Sequence, residues 1–226
     1  MFDHQPIAGS IPFENIPSDT STSGYVDKLI AFLEEYLPTF SSETGVKASR
    51  NENDLTEELY KHLTRKCKFN AENKEYPYAF QPEKSQKKTN EKGHSKRIDI
   101  AARLNTLDVN MEVIYCIEAK KLPTDKVGGK REKEYVLGNG GGIERFKSDR
   151  HGLNDYGNLL ERNGIIAYVV ENTFEHWQGQ INQWITSDSE RLTLEYFSGI
   201  AKLHSVHQRV SGSKLQLTHF WVGISE

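Results

Sequence analysis

Apolar residues at Val26, Leu29, Ile30, Leu33, Tyr36 and Leu37 recur every three to four positions and predict a helix over about 25–37. ENDLTEELYKHLTRK (52–66) has the same period and predicts a second helix, with the linker SSETGVKASRN between them. The pattern then shortens to strand period. KEYPYAFQPE (74–83), RIDIAARL (97–104) and MEVIYCIEAKKL (111–122) are predicted strands, with a turn around NTLDVN. IERFKSDRH (143–151) returns to helix, GIIAYVVEN (164–172) reads as a buried strand, and Phe174, Trp177, Ile181, Trp184 and Ile185 mark a further helix. AKLHSVHQRV and KLQLTHFWVGI, joined by SGS, read as a closing hairpin. The order predicts one mixed α/β domain, a sheet covered by helices. Residues 1–24 form an irregular arm in this reading, 25–50 an N-terminal helix and linker, 51–172 the core, and 173–226 a C-terminal helix and hairpin addition.

The alternation also places chemistry. On RIDIAARL, Ile98, Ile100, Ala102 and Leu104 share one face, so Asp99 and Arg97 stand on the other. In VIYCIEAK, Glu118 and Lys120 are two apart and point the same way. The two strands are neighbours in sequence and pair most simply as a hairpin, which sets Asp99 beside Glu118 with Lys120 just beyond. Two adjacent carboxylates need a counter-charge. A hard divalent cation such as Mg²⁺ supplies it, binding one or two carboxylates, water and phosphate oxygens. A lysine alongside can orient or help deprotonate an attacking water. Glu-x-Lys alone is short and common, and reads first as an ion pair on a half-exposed strand; with Asp99 added the two readings stand level.

On the helix over 52–66, Leu55, Leu59 and Leu63 define the apolar face, and a 100° wheel puts Glu52 near its middle. Glu52 can reach a metal on the sheet, or can be a carboxylate favoured by the helix dipole with Asn51 or Asn53 capping. Glu57 and Glu58 fall on the solvent side.

Composition changes this picture only locally. The chain has 226 residues and a net charge of −3, which excludes a uniformly basic nucleic-acid coat. Yet residues 84–97 carry +5 and residues 120–133 carry +4, leaving −12 on the rest. Both basic stretches abut the carboxylates and can attract phosphate, or can be solvated lysine loops. No apolar run approaches the roughly 18 residues of a membrane helix, and residues 1–19 lack the basic start and apolar stretch of a signal peptide. With only Cys67 and Cys116, a disulfide framework or zinc site is not expected, and a cytoplasmic setting is. GNGGGIERFKS fails both nucleotide fingerprints, because Phe146 precedes Lys147-Ser148 and Ile143 stands where the third glycine belongs. His204, His207 and His219 lack zinc spacing and read as strand-face residues.

Residues 50–172 resemble the PD-(D/E)XK nuclease superfamily, the restriction-endonuclease-like fold, with its α-β-β-β-α-β core. Asp99 in RIDIAARL matches the family's metal-binding aspartate, Glu118 its second acidic ligand, Lys120 its catalytic lysine and Glu52 its helix carboxylate. Ile98 stands where the name-giving proline would be. The block REKEYVLGNGGGIERFKSDRHG further resembles uncharacterised bacterial restriction-like proteins. The resemblance implies Mg²⁺ or Mn²⁺, cleavage of DNA before RNA, and service in restriction or phage defence, alone, as a homodimer or in a larger complex. It also implies that Lys96, Arg97 and Lys121, with Arg145 and Lys147 on the following helix, approach the phosphate backbone. Read without it, Arg145 and Lys147 are equally well solvent-facing charges around Ile143 and Phe146. A catalytically silent or partner-activated binding module is the alternative on the same fold.

Overall fold

The computed structural model describes residues 22–43, 45–70, 74, 76–87, 96–105, 112–124, 132–138, 140–197 and 199–225. Most of both basic loops, the arm before residue 22 and the NTLDVN turn lie outside the described residues.

Two helices come first. Helix α1 (Thr22–Phe40) buries Val26, Leu29, Ile30, Leu33, Tyr36, Leu37 and Phe40 along one stripe, and runs a turn beyond its predicted end. Helix α2 (Glu52–Lys68) buries Leu55, Leu59 and Leu63; the Asn51 side chain caps it by accepting the Asp54 N–H, and Arg65, Lys66 and Lys68 complement the dipole at its end. Glu57 does face solvent, paired with Lys61 at 2.8 Å.

Seven strands make one sheet: β1 (Tyr78–Gln86), β2 (Lys96–Leu104), β3 (Val113–Leu122), β4 (Arg162–Val169), β5 (Thr193–Phe197), β6 (Ile200–Gln208) and β7 (Lys214–Gly223), in the order β1-β2-β3-β4-β7-β6-β5. Only β3–β4 and β4–β7 are parallel, so the sheet is mixed. Strand β1 starts at Tyr78, later than predicted; the Asn70 side chain takes both the N–H and the C=O of Lys74, which keeps those groups out of a ladder. It then continues through Pro82, which is tolerable because β1 is an edge. Strand β5 was not expected. With β6 and β7 it makes residues 173–226 a continuation of the same sheet, as β7 lies directly against β4.

Helices cover both faces. Helices α1 and α2 pack with Ile100, Ala102, Leu104, Ile117, Ala119 and Ile166 on one side. On the other, helix α3 (Gly142–Lys147), helix α4 (Phe174–Trp184) and Tyr135 pack with Ala101, Cys116, Ile165 and Trp221. Ile98, expected on the face of Ile100, Ala102 and Leu104, instead joins Ala101 in this second core layer, while Arg97 is exposed and Asp99 and Arg103 are half-buried. All ten residues of β3 are buried, Glu118 and Lys120 included, so the half-exposed ion pair is excluded. Among the described residues no helix is long and apolar enough to cross a membrane.

Candidate active site where two strands part

The register of β2 and β3 decides the site. They pair from Arg103↔Val113 to Ile100↔Ile117, with a shift between Ala102 and Arg103, and the ladder stops there. Strand β3 continues for five more residues, with its other edge still paired to β4. Successive N–H groups alternate sides of a strand, so those of Ala119 and Lys121 point into the gap left by β2. Asp99 Oδ2 accepts the Ala119 N–H at 2.6 Å, and Glu52 Oε2 accepts the Lys121 N–H at 2.8 Å. Two carboxylates thus replace a missing strand, and the same hydrogen bonds bring them to the face of Glu118 and Lys120.

Glu118 is fully buried, and its two oxygens have different surroundings. Oε1 accepts from Lys120 Nζ at 2.9 Å and from Arg145 Nη1 at 2.5 Å. Oε2 faces His151 Nδ1 at 3.2 Å, off hydrogen-bond geometry. Lys120 Nζ also stands 3.6 Å from Glu52 Oε1. Burial and the neighbouring Glu118 push Asp99 up to about 7 against the pull of Lys120 and the Ala119 N–H. Burial would raise Glu118 as well, but Lys120, His151 and Arg145 outweigh it and hold its carboxyl down at about 2. Burial also opposes the charge on Lys120, and Glu118, Glu52 and Asp99 together overcome it and raise its pKa. Lys120 is therefore a firmly held ammonium, which removes it as a general base and leaves it as a donor and a positive charge.

Helix α3 is shorter than predicted. It ends at Lys147 because Asp149 adopts φ 59°, and the Arg150 and His151 N–H groups turn back to the Arg145 carbonyl. That reversal carries His151 into the core beside Glu118, out of the helix to which the sequence pattern assigns it. Nothing in the pattern around IERFKSDRH marks His151, since its position depends on a left-handed residue that is not glycine.

The remaining sequence-derived residues separate into groups. Arg145 joins the cluster. Lys147 does not: its ammonium pairs with Glu190 at 2.7 Å, toward the C-terminal strands. Lys121 is buried and its Nζ donates to the Arg50 carbonyl at 2.7 Å, tying β3 to the start of α2. Lys96 and Arg97 are exposed just before Asp99, and Arg97 pairs with Glu83 at 2.6 Å. Among the described residues no three His, Cys, Asp or Glu side chains converge as a ready metal group; the Lys120 ammonium stands between Glu118 and Glu52.

Two glycines of the block, Gly141 and Gly142, sit at close-packed positions. A Cβ on Gly141 would come within 2.6 Å of the Leu137 carbonyl carbon and 2.7 Å of two backbone oxygens. At Gly142 it would meet the Tyr135 carbonyl at 3.2 Å and lie 3.6 Å from Lys120 Cε. Bare backbone here lets α3 close on β3 and brings Arg145 to Glu118. Gly141→Ala is expected to destabilise the fold by about 1–3 kcal/mol, read as a lowered denaturation midpoint. A midpoint unchanged within error would show that the tight approach is dispensable.

The C-terminal histidines have their own partners. Trp221 Nε1 can only donate, and does so to the Tyr135 hydroxyl at 2.9 Å. The phenol proton then goes to His219 Nδ1 at 2.7 Å, His219 Nε2–H to Ser205 Oγ at 2.8 Å, and the Ser205 hydroxyl to His207 Nε2 at 2.7 Å. His207 Nδ1 faces Glu190 Oε2 at 3.2 Å. Burial lowers both histidines, so these are two neutral imidazoles, with both nitrogens of His219 and Nε2 of His207 in hydrogen bonds. Trp177 is a core residue and Trp184 packs against the same core.

Beside α3 a cleft of about 380 Å³ opens, lined by Leu137, Gly138, Glu144, Arg145, Ser148 and Arg150. Arg145 lines it and also reaches the buried cluster, where its guanidinium donates to Glu118. No family model, curated protein or solved structure matches this chain.

Proposed function

We propose that this chain is a metal-dependent phosphodiester hydrolase of the PD-(D/E)XK nuclease type, with the restriction-endonuclease-like core formed by α2, β1–β3, α3 and β4. DNA is its first expected substrate, in restriction or phage defence. One observation carries the reading: where β2 leaves β3, Asp99 and Glu52 take over the open N–H groups and meet a buried Glu118–Lys120 pair. A merely structural ladder gap would be closed at lower cost by uncharged side chains, since burying ionised groups is expensive.

The residues suit a divalent cation. At formal charge, Asp99, Glu118 and Glu52 against Lys120 and Arg145 leave one net negative charge, to which a phosphodiester adds another. Two positive charges would bring the loaded site to neutrality. Glu118 Oε2 is buried with no hydrogen bond from the protein, and Asp99 carries a raised pKa; both are features that a cation relieves. Asp99 and Glu118 would hold Mg²⁺ or Mn²⁺. Such an ion supplies Lewis-acid stabilisation of phosphoryl oxygens and a more acidic water. Glu52 keeps Lys120 in place, Lys120 donates to the attacking water or the phosphoryl group, and Arg145 offers its guanidinium to the phosphate from the cleft.

The test is incubation of the protein with supercoiled plasmid, linear duplex and single-stranded RNA, with Mg²⁺, with Mn²⁺ and with chelator, alongside Glu118→Gln. Metal-dependent nicking or degradation that the variant lacks is expected. Inactivity on every substrate would favour the second reading, a partner-activated or silent binding module. Its supporting observation is that Arg145 and Lys120 already neutralise Glu118 from within.

A further inference from the structure

Among the described residues four histidines are almost wholly buried: His62, His151, His207 and His219. Three have ring nitrogens in hydrogen bonds, His62 to Glu43 and the Tyr36 carbonyl, the other two in the relay through Ser205. His151 is the exception. It is 0% exposed, and neither ring nitrogen has a hydrogen-bond partner in the protein. An imidazole in that state forfeits about 1–3 kcal/mol for each unpaired polar atom, and buried polar groups in folded proteins are rarely left so. The group it faces is in the same condition, since Glu118 Oε2 is likewise buried without a hydrogen bond. The two atoms lie 3.2 Å apart, near enough to share a partner but not aligned to bond each other. Phe146 packs edge-on against the ring with centroids 5.8 Å apart, so His151 is held in this direction by an apolar wall.

We propose that His151 is a nitrogen donor of the cation site, its Nδ1 acting beside Glu118 Oε2. The proposal rests on the metal-dependent reading above and extends its ligand set from oxygen alone to oxygen plus imidazole. Two donors on one cation at about 2.1–2.2 Å each and at a right angle lie about 3 Å apart, close to the separation seen here. The oxygens of Glu118 then divide their work: Oε1 is spent on Lys120 and Arg145, and Oε2 with His151 serves the ion. Mn²⁺ shares the preference of Mg²⁺ for carboxylate oxygen, and as the transition-series ion of the two it is the one that gains from an added imidazole nitrogen. The site accordingly prefers Mn²⁺, by tenfold or more in affinity.

The experiment uses the full chain with Mn²⁺ alone, free of substrate. Pulsed electron paramagnetic resonance of bound Mn²⁺ is expected to show nitrogen coupling that changes from the ¹⁴N to the ¹⁵N pattern when only histidine is isotope-labelled. His151→Phe, which fills the same volume against Phe146, is expected to abolish the coupling and bring Mn²⁺ affinity down to that for Mg²⁺. The labelling arm needs no substitution, so it decides even if His151→Phe fails to fold. Mn²⁺ that binds, is lost in Glu118→Gln and shows no histidine coupling would overturn the proposal and leave the nuclease reading standing. Mn²⁺ that does not bind at all would also overturn it, while Mg²⁺-dependent cleavage judges the nuclease reading separately.

Discussion

Lys120→Gln is expected to cut metal-dependent phosphodiester cleavage by about 10²- to 10⁴-fold while the protein stays folded. Glutamine retains a donor toward Glu118 but removes the charge that the site places beside the reacting phosphate. The fold tolerates this because Arg145 remains on Glu118 Oε1 as a second cation. Without such a second partner, breaking a buried pair would cost about 3–5 kcal/mol. A further consequence separates catalysis from binding. Lys120 competes with any cation for the same carboxylates, at 2.9 Å from Glu118 and 3.6 Å from Glu52. Its neutralisation should therefore tighten Mg²⁺ binding in a calorimetric titration even as the turnover rate falls. Turnover within threefold of wild type, in a folded variant that binds metal, would remove Lys120 from the chemistry.

Asp99→Asn is expected to make the metal-free protein more stable at pH 8 than the wild type. The sign follows from linkage. Asp99 is raised in the fold from 3.8 to about 7, so the native state holds its proton more tightly than the unfolded chain does. The favourable contribution is complete below about pH 4, declines as pH rises, and is lost above about pH 7. Asparagine can still accept the Ala119 N–H through its carbonyl oxygen, and it never ionises. In chelator, the variant should match the wild type near pH 4 and exceed it by about 2–4 kcal/mol at pH 8, roughly 5–10 °C in Tm for a chain of this size. Added Mg²⁺ should narrow that gap, because only the wild type gains from binding it. Equal stability at pH 8 would mean that Asp99 carries no burial penalty, and that the site is not strained in favour of a cation.

The alternation of RIDIAARL placed Ile100, Ala102 and Leu104 on one core face and that of VIYCIEAK set Glu118 and Lys120 side by side, because side chains on a regular strand alternate; it misplaced Ile98, which packs with Ala101 in the opposite core layer. The same local rules placed α2 and the apolar stripe that turns Glu52 inward, and left its cap between Asn51 and Asn53, of which the structure uses Asn51. Periodicity had no means of showing that Asp99 and Glu52 each accept a β3 N–H, since those bonds exist only where β2 parts from β3 while staying paired to β1. Nor did it show a second core layer around Ile98 and Ala101, because a short alternating strand looks the same whether helices cover one side or both. The edge strand β5 is five residues long and was lost among polar neighbours. His151 was hidden for a different reason. Its place beside Glu118 depends on the backbone reversal at left-handed Asp149 and on glycines that let α3 close on the sheet, conformations that hydrophobic periodicity does not report.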